Sequence, residues 1–179
     1  MDKHVGIIIQ ARLTSSRFPN KMLCTLRGKP VLQHTIEAVK KSEYPFCIAI
    51  PENKTDRGLL EWIKLYDPSI HVITGHKEDL VLRFQKASKE MGFDTIIRIC
   101  GDNPFMNPED IQLAVDLYNK RGHYSRVNHV EVFSKEELEY CDKNDSFIDR
   151  RQHCCNMLAQ TVDKPEDIDR LEEETLGDL

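Results

Sequence analysis

Arg12, Arg17 and Lys21 fall in one short segment, with Thr14, Ser15 and Ser16 between the two arginines. Three cations, three hydroxyls and the backbone N–H groups around them are what a polyphosphate requires, because each oxygen can take a charge-assisted hydrogen bond. A solvated basic loop has the same composition, so the segment alone gives only a modest preference for phosphate. Acidic residues at other strand ends decide the matter. Arg98-Ile99-Cys100-Gly101-Asp102-Asn103-Pro104 sets an aspartate just past an apolar run, and Thr161-Val162-Asp163 sets another in a similar position. Mg²⁺ takes one or two carboxylates and completes its shell with water and substrate phosphates. Asp102 alone reads equally well as a turn or N-cap aspartate, and Asp163, shortly before Pro165, reads readily as a helix cap. Beside Arg12, Arg17 and Lys21, the metal-ligand reading is the better one for both.

These residues act together only if the fold gathers them. The run Val5-Gly6-Ile7-Ile8-Ile9 is unbroken and apolar, the pattern of a strand covered on both faces. Strands are expected at 4–10, 46–50, 70–73 and 94–100, and helices at 30–42, 55–66, 78–91 and 108–120. Glu78 and Asp79 suit a helix N-terminus, and Asn107-Pro108 reads as an N-cap followed by the first helical position. Strand–helix alternation implies an α/β fold, a three-layer arrangement with a mostly parallel sheet and helices on both faces. In such sheets ligands bind beyond the carboxyl ends of the strands, where the basic segment and Asp102 both fall. After Gly122 the rhythm changes to a short strand at 130–133. Ser134-Lys135-Glu136-Glu137 then carries a capping-box pattern, and further short elements are expected at 147–158, 161–163 and 165–174. With no repeats and no linker, residues 1–179 read as a single domain.

Composition narrows the function. The chain has 179 residues, 25 Lys and Arg against 30 Asp and Glu, and a formal net charge of −5. That balance argues against a general nucleic-acid binder while leaving room for a small anionic substrate on a local cationic loop. The six cysteines lack the paired spacing of a zinc site, no signal peptide is evident, and no run is long enough to span a membrane. A reduced, cytoplasmic protein follows. There is no G-x-G-x-x-G, no P-loop and no G-x-S-x-G elbow. The histidines are scattered, so His34 and His153 read as helix residues.

The opening Ile-Ile-Gln-Ala-Arg-Leu-Thr-Ser-Ser-Arg-Phe-Pro-Asn-Lys with Arg27-Gly28-Lys29-Pro30-Val31-Leu32 resembles the spore coat polysaccharide biosynthesis protein F group. That group belongs to the cytidylyltransferases that make CMP-activated acidic sugars. Gly75-His76-Lys77-Glu78-Asp79-Leu80-Val81-Leu82-Arg83-Phe84, the Gly101-Asp102-x-Pro104 motif and Val162-Asp163-Lys164-Pro165 match its pattern in the right order.

The resemblance implies a nucleotide-diphospho-sugar transferase (GT-A, Rossmann-like) fold and transfer of CMP from CTP to an acidic sugar for surface polysaccharide synthesis, with release of pyrophosphate. It places Gln10, Ala11, Arg12, Ser16, Arg17 and Lys21 along the nucleotide, with Asp79 near the substrate. Arg12, Lys21 and Asp102 become the catalytic set, and Asp102 and Asp163 the Mg²⁺ ligands. Relatives that use GTP or UTP open with a Gly-Gly turn where this chain has Gln10-Ala11. The group is usually longer after residue 120, so 1–120 reads as the nucleotide half and 121–179 as a reduced acceptor and metal half. That shortening weakens the homodimer contact the resemblance implies. It also keeps a second reading in play, a relative that holds a nucleotide or sugar phosphate without transferring it.

Overall fold

The computed structural model describes residues 4–15 and 18–144. Four strands, β1 (Val5–Gln10), β4 (Phe46–Pro51), β5 (His71–Gly75) and β6 (Thr95–Cys100), run parallel. They are extended by β8 (Val130–Ser134) and β7 (Ser125–Val127), antiparallel, in the order β5-β4-β1-β6-β8-β7. The fold is thus α/β with a mostly parallel sheet, as the alternation predicts.

Side-chain alternation along each strand assigns the two faces. Ile7, Ile9, Ile48, Ile50, Ile97 and Ile99 point to one side. There they meet Leu32 and Ile36 of α1 (Val31–Val39), Leu59 and Ile63 of α2 (Arg57–Tyr66), and Ile111 and Val115 of α4 (Glu109–Arg121). Ile8, Cys47, Ala49, Ile96 and Phe133 point to the other. They pack on Val81, Phe84 and Ala87 of α3 (Leu80–Met91) and on Leu138 and Cys141 of α5 (Lys135–Asn144). Burial pushes the Cys47 thiol up to about 12, as befits a small core residue.

Local signals set several boundaries. Ser134 Oγ accepts from the Glu137 N–H at 3.1 Å and Glu137 Oε2 accepts from the Ser134 N–H at 2.8 Å, the reciprocal bonds of a capping box. The expected start at residue 78 moves to Leu80 because Asp79 caps α3, its Oδ1 accepting from the Leu82 N–H at 3.0 Å. In α4 the cap is Pro108 rather than Asn107. Asn107 Oδ1 still accepts from the Glu109 N–H at 3.2 Å. Besides a 3₁₀ turn at Lys21–Leu23, two features lie outside the expected elements. One is a hairpin of β2 (Thr25–Leu26) and β3 (Lys29–Pro30), turned by left-handed Arg27 and Gly28; the other is strand β7. The elements expected at 147–158, 161–163 and 165–174 lie outside the described residues.

Candidate active site

β1 and β6 are neighbours in register, with Gln10 opposite Cys100. Their two carboxyl-end loops therefore leave the sheet side by side. The Gly101 N–H donates to the Gln10 carbonyl at 2.9 Å. A Cβ on Gly101 would stand 2.8 Å from Leu32 Cδ1 and 3.1 Å from that carbonyl, so only glycine lets the loops run this close.

The β1 loop is tied down along its length. Ala11 is buried and its N–H donates to the Ala49 carbonyl at 3.1 Å. The Leu13 N–H donates to Oδ1 of the buried Asp56 at 2.5 Å. Asn53 donates to the other Asp56 oxygen at 2.7 Å. The Asn20 N–H returns to the Leu13 carbonyl at 2.9 Å, and Asn20 takes a left-handed conformation that opens a single 3₁₀ turn at Lys21–Leu23. That turn buries Met22 and aims Lys21 back across the strand ends, where its Nζ forms an ion pair with Asp102 Oδ2. Both side chains remain about one-third exposed, at 27% and 32%.

Beneath this pair is a cavity of about 160 Å³ whose lining includes Gln10, Ala11, Arg12, Lys21, Cys100 and Asp102. Sites that enclose a whole small molecule run roughly 300–1,000 Å³, so this cavity is smaller than such a site. Of the residues singled out from sequence, Gln10, Ala11, Arg12, Lys21 and Asp102 come together there. Ser16, Arg17 and Asp163 lie outside the described residues.

Asp79 is 6% exposed and does not line the cavity. Its loop is nonetheless built around the site. His76 Nδ1 accepts from the Asp79 N–H at 2.9 Å. Arg83 grips the His76 carbonyl through Nε at 3.1 Å and Nη2 at 2.8 Å, with a further Nη2 bond to the Lys77 carbonyl at 2.9 Å. A Cβ on Gly75 would crowd Arg83, standing 3.0 Å from its Cγ and 3.3 Å from its Cα. His76, Lys77 and Glu78 are all exposed, and of the three Glu78 lines the cavity.

Sequence reasoning missed Glu78, Arg83 and Arg98 as lining residues and Glu131 behind them. Cys100, half-buried at the end of β6, also lines the cavity. A charge inside each of two apolar strands, Thr-Ile-Ile-Arg-Ile-Cys and Val-Glu-Val-Phe-Ser, was the available signal for Arg98 and Glu131.

The donor set suits a hard cation shared with a phosphate. Among the described residues no cluster of three or more His, Cys, Asp or Glu side chains is placed to hold a metal by itself. Asp102 supplies one carboxylate, which fits Mg²⁺ when phosphate oxygens and water fill the remaining positions. No described helix is long and apolar enough to cross a membrane.

A family model for cytidylyltransferases matches residues 6–173. Uncharacterized protein MJ1063 of Methanocaldococcus jannaschii is 34% identical over 160 residues, which make up 84% of this chain and 65% of that protein. A 3-deoxy-manno-octulosonate cytidylyltransferase of Parabacteroides distasonis is 32% identical over 114 residues, 63% of this chain and 43% of the enzyme. The chain thus spans less than two thirds of either relative. Among solved structures, a cytidylyltransferase from Leptospira borgpetersenii superposes with a TM-score of 0.78 at 27% identity, covering 87% of this chain and 71% of that one. A CMP:2-keto-3-deoxy-manno-octonic acid synthetase complexed with CTP gives 0.64 at 15% identity, covering 98% and 99%, a likeness of fold.

Proposed function

The chain belongs to the cytidylyltransferase family, and from that membership and the site geometry we propose that it transfers CMP from CTP to a hydroxyl of an acidic sugar. The observation that carries the reading is the Lys21–Asp102 pair over a cavity also lined by Gln10 and Arg12, at the carboxyl ends of adjacent parallel strands. The acceptor oxygen attacks the α-phosphorus, the bond from that phosphorus to the bridging oxygen breaks, pyrophosphate leaves, and the hydroxyl proton passes to solvent. Such transfers depend mostly on positioning and on charge stabilisation. Arg12 and Lys21 neutralise the triphosphate, joined by Arg17 in this reading, while Gln10, Ala11 and Ser16 lie along the nucleotide.

Asp102, with Asp163 as the second ligand, would hold Mg²⁺, which when bound offsets charge on the phosphate oxygens as the leaving group departs. In the unliganded protein Lys21 and Asp102 neutralise each other. When a magnesium–triphosphate complex binds, Lys21 would turn to phosphate and Asp102 would hold the cation. Asp79 acts through its loop, capping α3 so that Glu78 faces the cavity.

The same reading takes residues 1–179 as one domain, with 1–120 holding the nucleotide and 121–179 contributing to the acceptor side. It also carries a cytoplasmic location, where CTP is available and where Cys24 and Cys47 stay as thiols. Surface polysaccharide assembly as the destination of the product, and a homodimer, follow from the family likeness.

The test is pyrophosphate release from CTP and Mg²⁺ with a panel of sugar acids, for the parent and for Asp102→Ala. Release by the parent, with a loss of at least roughly 100-fold in a variant that keeps its melting temperature, is the expected result. Equal release by both proteins contradicts the role of Asp102.

A further inference from the structure

Arg98 and Glu131 are opposite one another on β6 and β8, each only 8% exposed. Nη1 of Arg98 is ion-paired with Glu131 Oε2, and the Tyr124 hydroxyl reaches Glu131 Oε1 at 3.5 Å. Apolar side chains of similar volume often serve stability as well as a buried ion pair or better. The position of this pair points to a different use. Arg98 lines the cavity, its Nη2 lies 3.5 Å from Cys100 Sγ, and its Nε donates to Gln10 Oε1 at 2.9 Å.

Gln10 is two residues beyond Ile8, which is the register partner of Arg98, so the guanidinium reaches diagonally across one face of the sheet to it. A guanidinium has only donors. The Gln10 amide must therefore turn its oxygen toward Arg98, which leaves its NH₂ as a donor for whatever enters the cavity. Glu131 in turn fixes the guanidinium plane and cancels its charge.

We propose that Glu131 and Arg98 are positioning residues that lock the Gln10 amide as a hydrogen-bond donor to an acceptor atom of the bound nucleotide. The inference rests on the reading above that Gln10 lies along CTP. Without the guanidinium the amide rotates between donor and acceptor presentations, and part of the binding free energy goes into fixing it. With it, a side chain two strands from the loop sets the polarity of the nucleotide site.

A double-mutant cycle on CTP affinity, measured by calorimetry in Mg²⁺, tests this. Gln10→Ala and Arg98→Lys are the single variants; lysine keeps the charge opposite Glu131 but cannot hold Glu131 and Gln10 together. Each single change is expected to weaken CTP about five- to tenfold, as for loss of one good hydrogen bond. The double variant is expected to be no weaker than either single. Glu131→Gln, which conserves shape, covers the case in which Arg98→Lys does not fold. It should also be non-additive with Gln10→Ala, and in turnover it should raise the KM for CTP with kcat within about twofold.

Additive losses, or a fall in kcat with KM unchanged, overturn the positioning role and leave the cytidylyltransferase reading intact. A Gln10→Ala variant that binds CTP like the parent overturns the donor role alone. A parent protein that binds no CTP overturns the reading and the inference together.

Discussion

Two ion pairs made by residues of β6 and the loop beyond it differ in nearly every physical respect. Arg98–Glu131 joins two strands, is about nine-tenths buried, and makes further hydrogen bonds with Gln10, Cys100 and Tyr124. Lys21–Asp102 joins two loops, keeps about a third of each side chain in water, and stands over an open cavity. A buried charge cannot change partners cheaply, because separation strands it in a low-dielectric surrounding. A half-exposed pair can, since water screens both ions during the exchange. In the proposed function the first pair fixes geometry and the second is replaced by ligand. Four residues apart in sequence, Arg98 and Asp102 would then hold opposite tasks set by depth.

Removing one partner from each pair should separate these tasks. Glu131→Ala leaves a buried guanidinium uncompensated and is expected to cost about 3–5 kcal/mol of folding stability, measured by urea denaturation. A loss below about 1 kcal/mol would mean that the pair is not held as the structure draws it. Lys21→Ala should change stability by less than about 1 kcal/mol, as exposed pairs do. It should nonetheless weaken CTP by roughly tenfold or more, as for loss of a charge-assisted hydrogen bond, and weaken CMP much less. Equal effects on CTP and CMP would place Lys21 away from the β- and γ-phosphates.

The smallest effect belongs to a third pair, Lys40 with Asp67, at the surface between the end of α1 and the end of α2, with Nζ to Oδ2 at 2.5 Å. The Lys40 ammonium, helped by Ser69, lowers the Asp67 carboxyl from its ordinary 3.8 to about 2. A depressed folded-state value means that the stabilisation is present above 3.8 and lost as pH falls toward 2. The melting temperatures of parent and Asp67→Asn should differ slightly at pH 6 and converge near pH 2. A gap that widens on acidification would reverse the sign.

How far the sequence could be read follows the same division by depth. β1 is legible because its apolar run is continuous and β6 because isoleucines flank its one charge, and the strand-end position of Asp102 follows from β6. The capping box at Ser134 and Glu137 is legible because its partners are three residues apart. The β2–β3 hairpin escapes because its strands are two residues each and rest on a left-handed Arg27-Gly28 turn. Arg98 and Glu131 are visible as charges within apolar strands, yet their partnership depends on β8 lying beside β6, which no local pattern dictates. Asp79 shows the converse. The motif places it near the substrate, while its local chemistry makes it a helix cap and Glu78 lines the cavity.

The central claim is that Lys21 and Asp102 exchange each other for a magnesium–triphosphate complex. Calorimetric titration with CTP, then GTP and ATP, each with and without Mg²⁺, tests it most directly. The account predicts binding that requires Mg²⁺ and favours CTP. Binding of CTP that is indifferent to Mg²⁺, or no binding of any triphosphate, would contradict it.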